Sequence, residues 1–143
     1  MSLSKVSNTE GDNSSDIITQ LANDFNQLNF IDCQKLADMN EPDGIFWLGY
    51  CYEYGIGVEK DVNKAFIHYR KSAEMNNPNG IYQVGYCYYL GIGVEIDMHK
   101  AFVYYLKSAE AGNSTGIFKT AVCYNHGIGV EKSEDKCKYW LRK

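Results

Sequence analysis

With 143 residues the chain has room for one domain and a modest buried core. Its 14 Lys and Arg against 18 Asp and Glu give a formal net charge of −4, and this balance offers no phosphate-binding surface, so no nucleic-acid partner is expected. No apolar run approaches the roughly 18 residues that a bilayer span needs, which removes a membrane partner as well.

In chain order, residues 1–15 are rich in Ser, Asn and acidic side chains and read as a disordered polar tail. Met1 to Glu10 lacks the apolar core of a secretory signal; taken as a natural start, it predicts a cytosolic or nuclear protein, with cytoplasmic as the expectation. The five cysteines (Cys33, Cys51, Cys87, Cys123 and Cys137) make an odd count without an export signal, so reduced thiols are expected. Residues 16–43 read as an N-terminal capping helix that includes a degenerate half-repeat. Lys35–Asp43 lies 36 positions before Lys71–Asn79, keeping Ala37, Met39 and Pro42 in step with Ala73, Met75 and Pro78, and Phe30 lies 36 before Phe66.

Three clear units follow, 44–79, 80–115 and a truncated 116–143, and the first two agree at about 21 of their 36 positions without a gap. In the first half of each unit, Ile45, Leu48, Cys51 and Tyr52 have the spacing of one apolar helix face. Gly55, Gly91 and Gly127 come next, where a left-handed cap suits glycine. A turn containing Gly57, Gly93 or Gly129 leads to Asp61 or Asp97, each placed to cap a second helix. That helix turns Ala65, Phe66, Tyr69 and Ala73 inward, repeated as Ala101, Phe102, Tyr105 and Ala109, and ends at Asn76 or Gly112, types that tolerate positive φ. Small residues at 44, 80 and 116, with Gly49 and Gly85, let neighbouring helices approach closely. A helix pair this short cannot bury its apolar face alone. The expected fold is therefore all-α: an α-solenoid of stacked antiparallel helix pairs with a 36-residue period, superhelical overall.

Reactive chemistry is not apparent. His68, His99 and His126 share no ligand spacing, so no metal is expected, and a helix rather than a strand precedes each Gly-x-Gly turn, so no nucleotide cofactor is expected. Cys51, Cys87 and Cys123 form a ladder at the repeat period; stacked helices lie about 8–10 Å apart, beyond the roughly 7 Å that a disulfide tolerates between α-carbons. Glu59, Glu95 and Glu131 recur in every turn, as Glu74 and Glu110 do near helix ends, which indicates a structural role rather than a catalytic pair.

The pattern small-x-x-x-Leu-Gly-x-x-Tyr-x-x-Gly-x-Gly-Val-x-x-Asp-x-x-Lys-Ala stands here as Gly44, Leu48, Gly49, Tyr52, Gly55, Gly57, Val58, Asp61, Lys64 and Ala65. The second unit keeps it as Gly85, Tyr88, Gly91, Gly93, Val94, Asp97, Lys100 and Ala101. This resembles the Sel1-like repeat, a relative of the tetratricopeptide repeat. Departures are Gly for the usual Ala at 44, 80 and 116, Thr120 and Ala121 for Leu and Gly, and Ser133 for Asp. The resemblance implies an adaptor or scaffold in signalling, protein quality control or cell-wall regulation, with repeats that are not catalytic. Some secreted relatives staple two cysteines within each repeat, and the single cysteine in each of the first two units here disfavours that subclass.

Positions that differ between units are free to read a ligand. Turning 100° per residue from Leu48, position 46 and its equivalents Tyr82 and Phe118 are aromatic throughout and favour packing. Tyr50, Glu53, Tyr86, Tyr89 and Asn125, flanked by Trp47, Gln83 and Lys119, are expected to line the concave face and bind a short helix or an extended peptide. Lys143 aligns with Lys71 and Lys107, so the last helix lacks the Ser-Ala-Glu turn of its predecessors. That end reads first as a piece of a longer product, and otherwise as a packing surface, for example in a homodimer. The expected function is a non-catalytic protein–protein scaffold. The alternatives are a regulatory module of a larger signalling protein, for example a kinase-linked one, and a ubiquitin-ligase-associated quality-control adaptor. An enzyme, which some secreted relatives suggest, is disfavoured because every polar cluster is repeated.

Overall fold

The computed structural model describes the backbone of residues 2–143, and the side chains of residues 16–143 except Phe25 and Leu28. Seven helices are present among them and no strand: α1 (Ser2–Asp38), α2 (Pro42–Tyr54), α3 (Val62–Glu74), α4 (Pro78–Leu90), α5 (Met98–Glu110), α6 (Ser114–His126) and α7 (Glu134–Leu141). Each helix packs on the one before it and the one after it, and a smaller contact joins α2 to α4. Helices α2, α4 and α6 are the A helices of successive pairs, and α3, α5 and α7 the B helices. The side chains of the polar tail expected over 1–15 lie outside the described residues. The backbone of α1 begins at Ser2 rather than Asp16, and no proline before Pro42 is there to stop it.

Local chemistry sets most of the helix ends. Asp61, Asp97 and Ser133 each accept a hydrogen bond from the backbone N–H three residues on, at 3.1, 3.0 and 3.2 Å. Serine thus replaces aspartate without loss of the cap. Asn77 and Asn113 cap α4 and α6 in the same way. Proline at the start of α2 and α4 gives up only an N–H that would be unpaired there. Gly55, Gly91 and Gly127 close the A helices at φ 68°, 78° and 68°, and Asn76 and Gly112 stand at φ 62° and 85°. The loop back to helix B is clasped identically in each unit: the N–H of Asp61, Asp97 or Ser133 donates to the carbonyl of Tyr52, Tyr88 or Tyr124.

Between pairs, the contacts also recur every 36 residues. Phe66 meets Tyr88 edge to face at 5.6 Å, and Phe102 meets Tyr124 at 5.2 Å. Phe30 of α1 meets Tyr52 at 5.8 Å in the same geometry, so the second half of α1 stands where a B helix would stand. Ser72 and Ser108, both fully buried, donate to the carbonyls of Pro42 and Pro78. A Cβ at Gly80 would lie 2.6 Å from Ser72 Oγ, which shows how closely one pair is seated on the next. Within pairs, the fully buried rings of Tyr69 and Tyr105 lie against Gly49 and Gly85, where a Cβ would come to 2.7 and 2.9 Å of ring carbon. In unit three the corresponding residues are Ala121 and Leu141, a larger residue opposite a smaller one. The departure at 121 is therefore matched by one at 141.

The thiols follow the core. Cys51, Cys87, Cys123 and Cys137 are buried, Cys33 is half-buried, and all five are free. Burial pushes the thiols of Cys51 and Cys123 up to about 11 and that of Cys87 to about 12.

Two outcomes are expected. Gly85→Ala should lower stability by about 1–2 kcal/mol, since overpacking exceeds the gain in helix propensity; urea denaturation reads this, and an unchanged midpoint would contradict it. Native protein treated with iodoacetamide at pH 8 should be modified first at Cys33, with the ladder thiols reacting only after unfolding, as mass spectrometry of the peptides would report.

Candidate partner-binding face

The A helices carry the candidate surface, and the structure distributes the expected residues unevenly along it. On α2, Trp47 is 47% exposed and Tyr50 36% exposed. Their rings meet in sequence, Trp47 and Tyr50 edge to face at 5.4 Å and Tyr50 and Tyr54 tilted at 4.6 Å. Tyr54, which periodicity did not single out, extends the exposed run by one helical turn. On α4, Gln83, Tyr86 and Tyr89 are half-buried, and Tyr86 stacks on Tyr82 at 6.2 Å. On α6, Lys119 is half-buried and Asn125 exposed, with Asn125 Nδ2 3.4 Å from His126 Nε2.

Glu53 departs from the expectation. It is only 6% exposed, so it does not line the open surface. Tyr69 Oη donates to Glu53 Oε1 at 2.7 Å, and Gln83 Nε2 donates to the same oxygen at 3.3 Å. One carboxylate therefore ties together α2, its own B helix α3 and the next A helix α4. Burial pushes the Tyr69 phenol up, and its bond to Glu53 adds to this. A buried carboxylate is tolerated only where donors surround it, and those donors lie 16 and 30 residues away in sequence, which a single helical wheel does not show.

The 46-type position is corrected too. Phe46 is buried and Tyr82 half-buried, each against the tyrosine of its B helix at 5.6 and 5.5 Å. Phe118 is 56% exposed, because Leu141 stands where Tyr69 and Tyr105 stand in the earlier units. Phe118 thus belongs with the exposed aromatic residues rather than with the packing.

Unit two lacks the carboxylate. Position 89 is Tyr, and among the described residues Tyr105 Oη is the one buried side-chain polar atom without a hydrogen-bond partner. Tyr105 lies beneath Tyr82, with Tyr86, Tyr89 and Cys123 also close enough to act on its phenol, whose ionisation burial pushes well up. Among the described residues no group of three or more His, Cys, Asp and Glu is placed to hold a metal, and no helix is long and apolar enough to cross a membrane.

A family profile described as Sel1 repeat matches residues 42–77, 78–113 and 114–143. A Sel1 repeat protein from Oxalobacter formigenes superposes with a TM-score of 0.77 at 33% identity, covering 82% of this chain and 48% of its own. The antigen c5321 of uropathogenic Escherichia coli, described as displaying an SLR fold, gives 0.75 at 31%, covering 79% of this chain and 24% of its own. Helicobacter pylori cysteine rich protein B gives 0.58 at 26%, covering 68% and 88%. The chain thus spans about half the length of the first solved relative and a quarter of the second. No curated protein sequence matches it significantly. With three profile matches laid over the three helix pairs, the chain belongs to the Sel1 repeat family.

Proposed function

We propose that the chain is a non-catalytic scaffold that holds a segment of another protein, a short helix or an extended peptide, along its A helices on the inner side of the superhelix. Repeats of this family commonly mediate protein–protein interaction. The observation that carries the proposal is the aromatic run of Trp47, Tyr50 and Tyr54, which neighbours the half-exposed Tyr82, Tyr86 and Tyr89 of the next A helix. Large rigid rings left open to solvent at positions that change from unit to unit supply contact area at little cost in side-chain entropy. Gln83, Lys119 and Asn125 add polar groups beside them, while Glu53 acts from below by fixing Tyr69 and Gln83.

Changing Tyr50, Tyr86 and Tyr89 together to Ala should reduce partner recovery by at least about tenfold in quantitative affinity capture. The far-UV helical signal should persist, with a stability loss of about 1–3 kcal/mol from the half-buried rings. Undiminished recovery by a folded triple variant would remove the proposal.

A further inference from the structure

The three-residue cluster around Glu53 has a counterpart one unit later, and the two differ in a telling way. Shifting Glu53, Tyr69 and Gln83 by 36 positions gives Tyr89, Tyr105 and Lys119. Both donors are retained, and one is strengthened: a phenol is again buried on helix B, and a lysine replaces the glutamine on the following A helix. The acceptor has gone. Tyr105 is 1% exposed and its hydroxyl has no partner among the described residues. Lys119 stands where Gln83 stands in the unit before, the position from which a side chain reaches the Glu53 site, and it lies four residues before Cys123, which packs in one core cluster with Tyr105. An unpaired buried hydroxyl is unfavourable, and a cation at the position equivalent to Gln83 favours an anion as the acceptor.

We propose that Tyr105 and Lys119 form a receptor for one glutamate side chain presented by the bound partner, which reproduces between two molecules what Glu53 does within this one. The inference rests on the A-helix face being the partner-binding face, and it adds the chemistry of the segment: acidic at one position, with apolar or aromatic neighbours to lie along Tyr82 and Tyr86. Tyr89 occupies the position of Glu53 and is half-exposed, so it is the side chain that the incoming carboxylate displaces. A glutamate is preferred to a chain terminus because unit one reaches its phenol with that side chain, from a helix.

The test uses the full chain and two capped probes, Ac-Ala-Tyr-Glu-Tyr-Ala-NH2 and its Gln twin, titrated by NMR. The Glu peptide should bind about tenfold more tightly, the scale of one charge-assisted hydrogen bond. That ratio should fall below about twofold in Tyr105→Phe and in Lys119→Gln. Equal binding of the two peptides to the native chain would overturn the receptor, as would a ratio that survives both substitutions. If such equal binding shifts the signals of Tyr86 and Tyr89, the partner face stands without the receptor; if nothing shifts, both fall. The Gln peptide with a free C-terminus should bind like its amide, and binding as tight as that of the Glu peptide would overturn the choice of a side chain. Within the chain, Tyr89→Glu should melt about 3–6 °C above Tyr89→Gln, and Tyr105→Phe should abolish the difference. A difference that persists, or none in either background, means that the phenol finds its acceptor elsewhere, in water for example, and would overturn the proposal.

Discussion

A buried tyrosine on helix B is the piece around which each complete pair is arranged. Its ring needs a neighbour without a side chain, and Gly49 and Gly85 provide one on helix A. Its hydroxyl, carried into the packed layer with the ring, needs an acceptor, because water is excluded there. The first requirement is met identically in units one and two, and it sets how closely the two helices of a pair can lie. The second is met by Glu53 in unit one, and by nothing within the described residues in unit two. Packing is therefore repeated where polar satisfaction is not. This difference leaves the polar side of unit one complete and unit two with an unmatched phenol.

The joints between pairs obey a similar logic. Ser72 and Ser108 are fully buried, small enough to face Gly80 and Gly116, and satisfied by proline carbonyls at the starts of α2 and α4. Asn77 and Asn113 cap the next A helix and also donate to Asp43 and Asn79 of the previous one. Stacking is thus held by short polar contacts at the helix ends and by Phe–Tyr pairs in the middle. Gln83 adds one bond from α4 to Glu53 of α2, whereas the exposed Trp47, Tyr50 and Phe118 make none of these contacts and can change without disturbing the solenoid.

Most of the architecture was legible in the residues because caps and turns are local. An αL glycine, an aspartate or serine three residues before a backbone N–H, and a 36-residue echo each announce themselves within a short window. Phe30 revealed the seat of α1 through its register with Phe66. The candidate face was only half legible. A single helical wheel put Glu53 on the open side, whereas α2 is covered by both α3 and α4, so its buried arc is wider than one partner helix would make it. Phe118 was missed for the opposite reason: recurrence of an aromatic residue suggested packing, and the loss of its partner ring at Leu141 is visible only when the two positions are read together. Tyr54 varies between units, as Leu90 and His126, and lies one helical turn past Tyr50, so its signal was present in the residues and was not used.

The most direct measurement is a comparison of one substitution at two equivalent sites, Tyr69→Phe and Tyr105→Phe, by equilibrium unfolding of the unliganded protein. Removing the Tyr69 hydroxyl strips a donor from the buried carboxylate of Glu53, and the account predicts a loss of about 2 kcal/mol. Removing the Tyr105 hydroxyl takes away a group with no partner, so stability should be unchanged or slightly raised. Equal losses at both positions would contradict the claim that the ring is shared by the repeats while the acceptor is not.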